Sequence, residues 1–84
     1  MAKEVKYTII DQLGTLGESN KGWQKEVNIM TWGNSKTPVI DIRDWNRDED
    51  RMGKGTTLNL AKLKDLHDIG LESIINALEA SMEE

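Results

Sequence analysis

Apolar and polar positions alternate with period two along Val39-Ile40-Asp41-Ile42-Arg43-Asp44-Trp45-Asn46. Ile40 and Ile42 therefore share one face of a strand, and Asp41, Arg43 and Trp45 share the other. The first face can cover a core. The charges on the second argue against its deep burial, because ionised groups are costly to bury unpaired. The pattern predicts a central strand with one dry side and one open side.

Other elements follow in the same way. Tyr7 to Leu13 is rich in β-formers and predicts a first strand, extendable past Gly14 to Leu16, with the glycine-bounded stretch 17–22 as a loop. Trp23 to Trp32 predicts a second strand, with Val27 and Ile29 on one side and Asn28, Met30 and Trp32 on the other. A loop over 33–38 leads to the central strand, and 47–53 reads as a charged loop before a short strand over 54–58. Asn59 is a helix N-cap, and Leu60, Leu63, Leu66, Ile69, Leu71, Ile74, Ile75 and Leu78 recur with the helical period. Gly70 interrupts that helix at a cost of about 1 kcal/mol against Ala, and a kink or break is expected there. Four strands and then a helix on one face make an α+β arrangement, a single domain over 1–84.

Composition changes this picture in two respects. A chain of 84 residues buries little of its own surface, so a second copy would stabilise it. The formal charge of −4 argues against a nucleic-acid partner until it is resolved along the chain. Residues 1–20 carry two Lys against three acids, 21–59 seven Lys or Arg against six, and 60–84 two Lys against six. The acidity sits at the C-terminal end, and all three Arg lie in the middle. Screening over about 8–10 Å lets a local basic stripe act independently of the whole. There is no Cys, no signal-like start and no apolar run of membrane-spanning length, so the expected location is the cytoplasm or nucleoid. Residues 1–6 are polar and expected to fray.

Catalysis has little support. His67 is the one histidine and nothing marks a nucleophile beside it, so no enzyme is expected. Asp44, Asn46, Asp48 and Asp50 alternate like calcium-loop ligands, but Glu49 and Gly55 stand where that loop needs Gly and Glu. No metal or cofactor is expected. Gly53-Lys54-Gly55-Thr56-Thr57 lacks the spacing of a phosphate loop, although Lys54 could touch a phosphate and Gly55 could allow close backbone approach. The aromatics are three Trp, one Tyr and no Phe. Trp32 and Trp45 fall on the side opposite the core, with Arg43 beside Trp45. Stacking a base on such a ring contributes about 1–3 kcal/mol. By pattern alone, half-buried sheet residues or dimer contacts explain these Trp equally well. Trp23 and Lys25 share parity with Val27, which points them to the core side unless a bulge intervenes.

Trp32, the loop to Pro38, the Val-Ile-Asp-Ile-Arg-Asp-Trp run at 39–45, the charged loop, and Lys54-Gly55-Thr56-Thr57-Leu58-Asn59 before a helix resemble the transcriptional coactivator family of positive cofactor four. The resemblance is nearest its bacterial YdbC-type branch, which also shows Gly22-Trp23-Gln24-Lys25-Glu26, and it covers roughly residues 22–68. It implies a curved antiparallel four-stranded sheet followed by a helix, dimerisation through the helices, and binding of single-stranded DNA across the sheet with little sequence preference. Trp32 matches a base-stacking aromatic, Arg43 the Arg of the third strand, Lys54 the basic residue before the fourth, and Trp45 the aromatic two past that Arg. The eukaryotic pattern has a second aromatic where this chain has Asn46. Its 33–38 loop is shorter, and its helix does not run as far past Gly70.

The resulting expectation is a homodimeric single-stranded nucleic-acid binder. Trp32 and Trp45 stack bases, Lys25, Arg43 and Lys54 meet phosphates, and Lys21, Trp23, Lys36, Arg51 and Gly55 extend the site. Leu60, Leu63, Leu66, Ile74 and Leu78 supply the core and dimer face of the helix. RNA is an alternative ligand. A protein-interaction module, with an acidic helical tail (Glu72, Glu79, Glu83, Glu84) engaging a basic partner such as one in the transcription machinery, is the rival of a different class.

Overall fold

Residues 6–83 are described by the computed structural model of the chain; the expectations placed on residues 1–5 and on Glu84 lie outside them. Four antiparallel strands pair in sequence order: β1 (Tyr7–Asn20), β2 (Trp23–Trp32), β3 (Val39–Asn46) and β4 (Arg51–Leu58). Two helices follow, α1 (Leu60–Ile69) and α2 (Leu71–Ser81). This is the α+β order that the periodicities predict. At the described start, Lys6 is tied down by Gly33 N–H donating to its carbonyl at 2.8 Å.

Two boundaries differ from expectation. β1 does not give way to a loop at Gly17 but runs to Asn20, and the hairpin closes on Lys21 and Gly22, whose φ values are +53° and +86°. A two-residue turn with positive φ at both positions matches the twist of the flanking strands. Gly17, at φ +73°, sits in one of three register shifts of the β1–β2 ladder and is absorbed as a bulge. β4 likewise starts at Arg51, so the charged connection shrinks to residues 47–50. The ladder there resumes as Trp45 opposite Met52 after a bulge facing Asp44.

The register places Trp32, Met30, Asn28 and Glu26 of β2 on one face with Val39, Asp41, Arg43 and Trp45 of β3. Val27, Ile29, Ile40 and Ile42 lie on the other. Burial is the reverse of the expectation. Met30, Asn28 and Asp41 are fully buried, and Glu26 and Trp45 nearly so, whereas all four aliphatic residues remain half-buried. The reason is curvature. The bulges roll the sheet around its polar face until Tyr7 at one edge lies 5.3 Å, centroid to centroid, from Trp45 two strands away. The charges tolerate this because each is paired.

Gly55 does allow a close approach, but to β3 and not to a ligand. A Cβ there would lie 2.0 Å from Arg43 Cβ and 2.6 Å from the Ile42 carbonyl oxygen. Asn59 caps α1 as predicted, its Oδ1 accepting from Lys62 N–H at 2.9 Å. The chain breaks at Gly70, whose φ of +94° favours glycine, with Ile74 N–H returning to its carbonyl at 3.0 Å. α1 touches β3 and β4; α2 touches only α1. The helices contribute less to the protomer core than expected: Leu63 and Ile74 are half-buried, and Leu60, Leu66 and Leu78 are exposed. No helix among the described residues is long and apolar enough to cross a membrane.

Substituting Gly55→Ala should lower stability by about 1–3 kcal/mol or more, read as a fall in the urea midpoint, because the clash is with backbone and Cβ atoms that cannot rotate away.

Candidate functional site

The curled polar face carries the same three-part arrangement twice. At one position Arg43, two residues after Asp41 and on the same side of β3, donates from Nε to Asp41 Oδ1 at 2.6 Å and from Nη2 to Oδ2 at 2.9 Å. Thr57 Oγ1 on β4 donates to Asp41 Oδ2 at 2.9 Å, and Arg43 Nη1 reaches the Gly53 carbonyl at 3.3 Å. The same guanidinium lies over Trp32, 4.8 Å from the ring centroid. At the other position Arg47 donates from Nε and Nη2 to Glu26 at 3.0 and 2.6 Å, and its guanidinium sits 4.6 Å from the centroid of Trp45. Its hydrogen bonds to Glu26 raise the Arg47 pKa above its already high ordinary value, against the opposing effect of burial. Asn28 Nδ2 also donates to Glu26, at 3.2 Å.

Bidentate geometry makes each pair stronger than a point-charge contact and lets the carboxylate be buried. The arrangement is not fully satisfied. Asn28 Oδ1, Trp32 Nε1 and Trp45 Nε1 are buried without a partner among the described residues, each a cost of about 1–3 kcal/mol.

The structure separates the residues expected to act together. Trp32 is half-buried at one end of the face, beside the loop that carries exposed Lys36. Trp45 is only 2% exposed, so it does not stand on the open side: Tyr7 and Arg47 pack against it. Arg43 is committed to Asp41 rather than free for a phosphate. Trp23 and Lys25 lie on the opposite face from Arg43, as simple alternation indicated; Trp23 packs over Gly53 and Lys25 pairs with Asp44 at 3.3 Å. Arg51 pairs with Glu49 at 3.6 Å. Lys21 and Lys54 are exposed and form no ion pair among the described residues.

Asn46, fully inside, ties the two hairpin ends together. Its Nδ2 donates to Glu49 at 3.1 Å and approaches the Lys21 carbonyl at 3.5 Å, while its Oδ1 accepts from Glu49 N–H at 3.1 Å. An aromatic ring could not make these bonds. The sequence reading missed Arg47, Glu26 and Asn46. Continuing the alternation of β3 past its end puts Arg47 on the side of Trp45, and β2 puts Glu26 on the side of Trp32, so parity alone could have found the first two.

A sequence profile described as Transcriptional Coactivator p15 (PC4) matches residues 19–69. The chain belongs to the PC4 family. The match runs from the end of β1 through α1 and includes Trp32, Arg43, Trp45 and Lys54; α2 lies beyond it. The PC4 family is known for binding single-stranded DNA and for coactivator roles. The chain is also 38% identical over 63 residues to an uncharacterized protein of Treponema pallidum (strain Nichols), a stretch covering 75% of this chain and 73% of that one.

Removing Arg43 should unmake the fold before it reports on binding. Arg43→Ala leaves the Asp41 carboxylate buried and unpaired, and unfolding by urea should show a loss of about 3–5 kcal/mol. The double change Asp41→Asn with Arg43→Gln should recover part of it.

Proposed function

We propose that this protein binds single-stranded DNA with little sequence preference, as a homodimer and without catalytic chemistry, in transcription regulation or in DNA replication or repair within the cytoplasm. Membership of the PC4 family across β2 to α1 carries this reading. The geometry supports it at Trp32, a half-buried indole set on a sheet face and backed by a guanidinium, with exposed Lys36 on the adjoining loop. Bases stack on Trp32, and the exposed Lys21, Lys36 and Lys54 meet phosphates. Arg43 acts as a positioning residue, because Asp41 already holds it.

The homodimer is supported by what the protomer leaves uncovered. Leu71, Ile75 and Leu78 form an exposed stripe on α2 at helical spacing. A groove of about 410 Å3 opens between α1 and the sheet, lined by Ile29, Val39, Ile40, Leu58, Leu60 and Leu63. The radius of gyration, 15.3 Å, exceeds the roughly 12 Å of a compact chain of this length. A second copy laid against these surfaces removes them from water.

Titration with oligo-dT should change tryptophan emission, and Trp32→Ala should weaken binding about 5- to 150-fold, the range set by one stacked base. Affinity should fall with salt with a log–log slope of about −0.7 per phosphate neutralised. Duplex DNA should bind more weakly at the same salt, and stronger binding of an rU oligomer would move the assignment to RNA. In sedimentation, Leu78→Glu should shift the protein from dimer to monomer.

A further inference from the structure

Both indoles of the curled face are covered by a guanidinium, but the two covers are held differently. Arg43 belongs to β3, its side chain is 15% exposed, and it is fixed by the Gly53 carbonyl and by Asp41, which Thr57 holds in turn. Arg47 belongs to the β3–β4 turn, its side chain is 46% exposed, and one carboxylate, Glu26, is the only side chain that bonds it among the described residues. Beneath it, Trp45 is sealed while its Nε1 donor finds no acceptor among the described residues. This is a flat apolar ring with an unspent hydrogen bond, closed by a single cation carried on a turn rather than on a strand.

Carboxylate and phosphate present a guanidinium with the same paired oxygens. A nucleotide brings both things this site exchanges: a base that can take the place of the guanidinium over the ring, and a phosphate that can take the place of Glu26 on Arg47. We infer that Trp45 is a second base subsite, occupied in the free protein by Arg47, and that an unpaired base enters it by displacing Arg47 from the indole onto the adjoining phosphate. This rests on the single-stranded DNA reading above. Glu26 is then an opposing determinant. It holds Arg47 closed before binding, and afterwards stands as a carboxylate near incoming phosphates, retaining only the Asn28 amide. The arrangement makes a counterintuitive demand. Removing the negative charge of a buried, well-bonded side chain should tighten binding, not weaken it.

The test compares wild type, Glu26→Gln, and Asp48→Asn as a control with the same charge change in the exposed turn, each titrated with oligo-dT at fixed salt. In parallel, the Arg47 Nε–H and Trp45 indole N–H resonances of wild type are followed by NMR, free and saturated. Glu26→Gln should bind about two- to fivefold tighter, beyond any gain in Asp48→Asn, the range matching a partly exposed ion pair. In the wild-type complex, Arg47 Nε–H should lose its protection from solvent exchange and the Trp45 indole resonance should shift with it. Should Glu26→Gln fail to fold, the wild-type resonances decide alone. Wild-type binding with Arg47 Nε–H still protected at saturation overturns the exchange and leaves the single-stranded DNA reading standing. A folded Glu26→Gln that binds no tighter than Asp48→Asn does the same. Absence of any binding by wild type overturns both.

Discussion

Two buried carboxylates hold this structure in its shape. Asp41 and Glu26 sit on the inner face of a rolled sheet, and each survives there because an arginine reaches it with two parallel hydrogen bonds. Moving an isolated carboxylate out of water costs far more than a small domain has in reserve, so the pairing is a condition for the curvature. Once the pairs form, they place their guanidinium groups over Trp32 and Trp45, and the polar face becomes a packed interior without any helix across it. Asn46 extends the same logic to the strand ends, where one amide joins the two hairpin turns.

Rolling the sheet towards its polar side leaves the aliphatic side outward. Val27, Ile29, Ile40 and Ile42 are only half-buried, and α1 covers one end of that surface without filling the groove beside it. α2 is displaced from the sheet by the break at Gly70 and touches only α1. At about 25 cal/mol per Å2, the apolar area left exposed on α2 and in the groove is a substantial favourable term still available to assembly. The fold is thus arranged with a self-satisfied face that carries charge and aromatics, and an unsatisfied face that carries aliphatics.

Much of this was legible in the residues. The alternation of 39–46 placed β3 at its observed bounds, Asn59 announced the start of α1, and Gly70 announced its end, because period, capping and φ preference are local properties. Parity also assigned Trp32, Arg43 and Trp45 to one face and Lys25 to the other. What parity could not supply was which face would close. That depends on bulges at Gly17 and opposite Asp44, and on whether side chains distant in sequence, such as Arg47 and Glu26, meet at bonding distance.

Period, parity and capping specify the order and type of the elements and the division of side chains between two faces, and residues 19–69 carry the match to the PC4 family. The assembled sheet was needed to place the charged face inside, to cover Trp45 while leaving Trp32 half-open, and to commit Gly55 to strand packing. Burial of a charge depends on its partner, and partners are brought together by the roll of the sheet, which no single segment encodes.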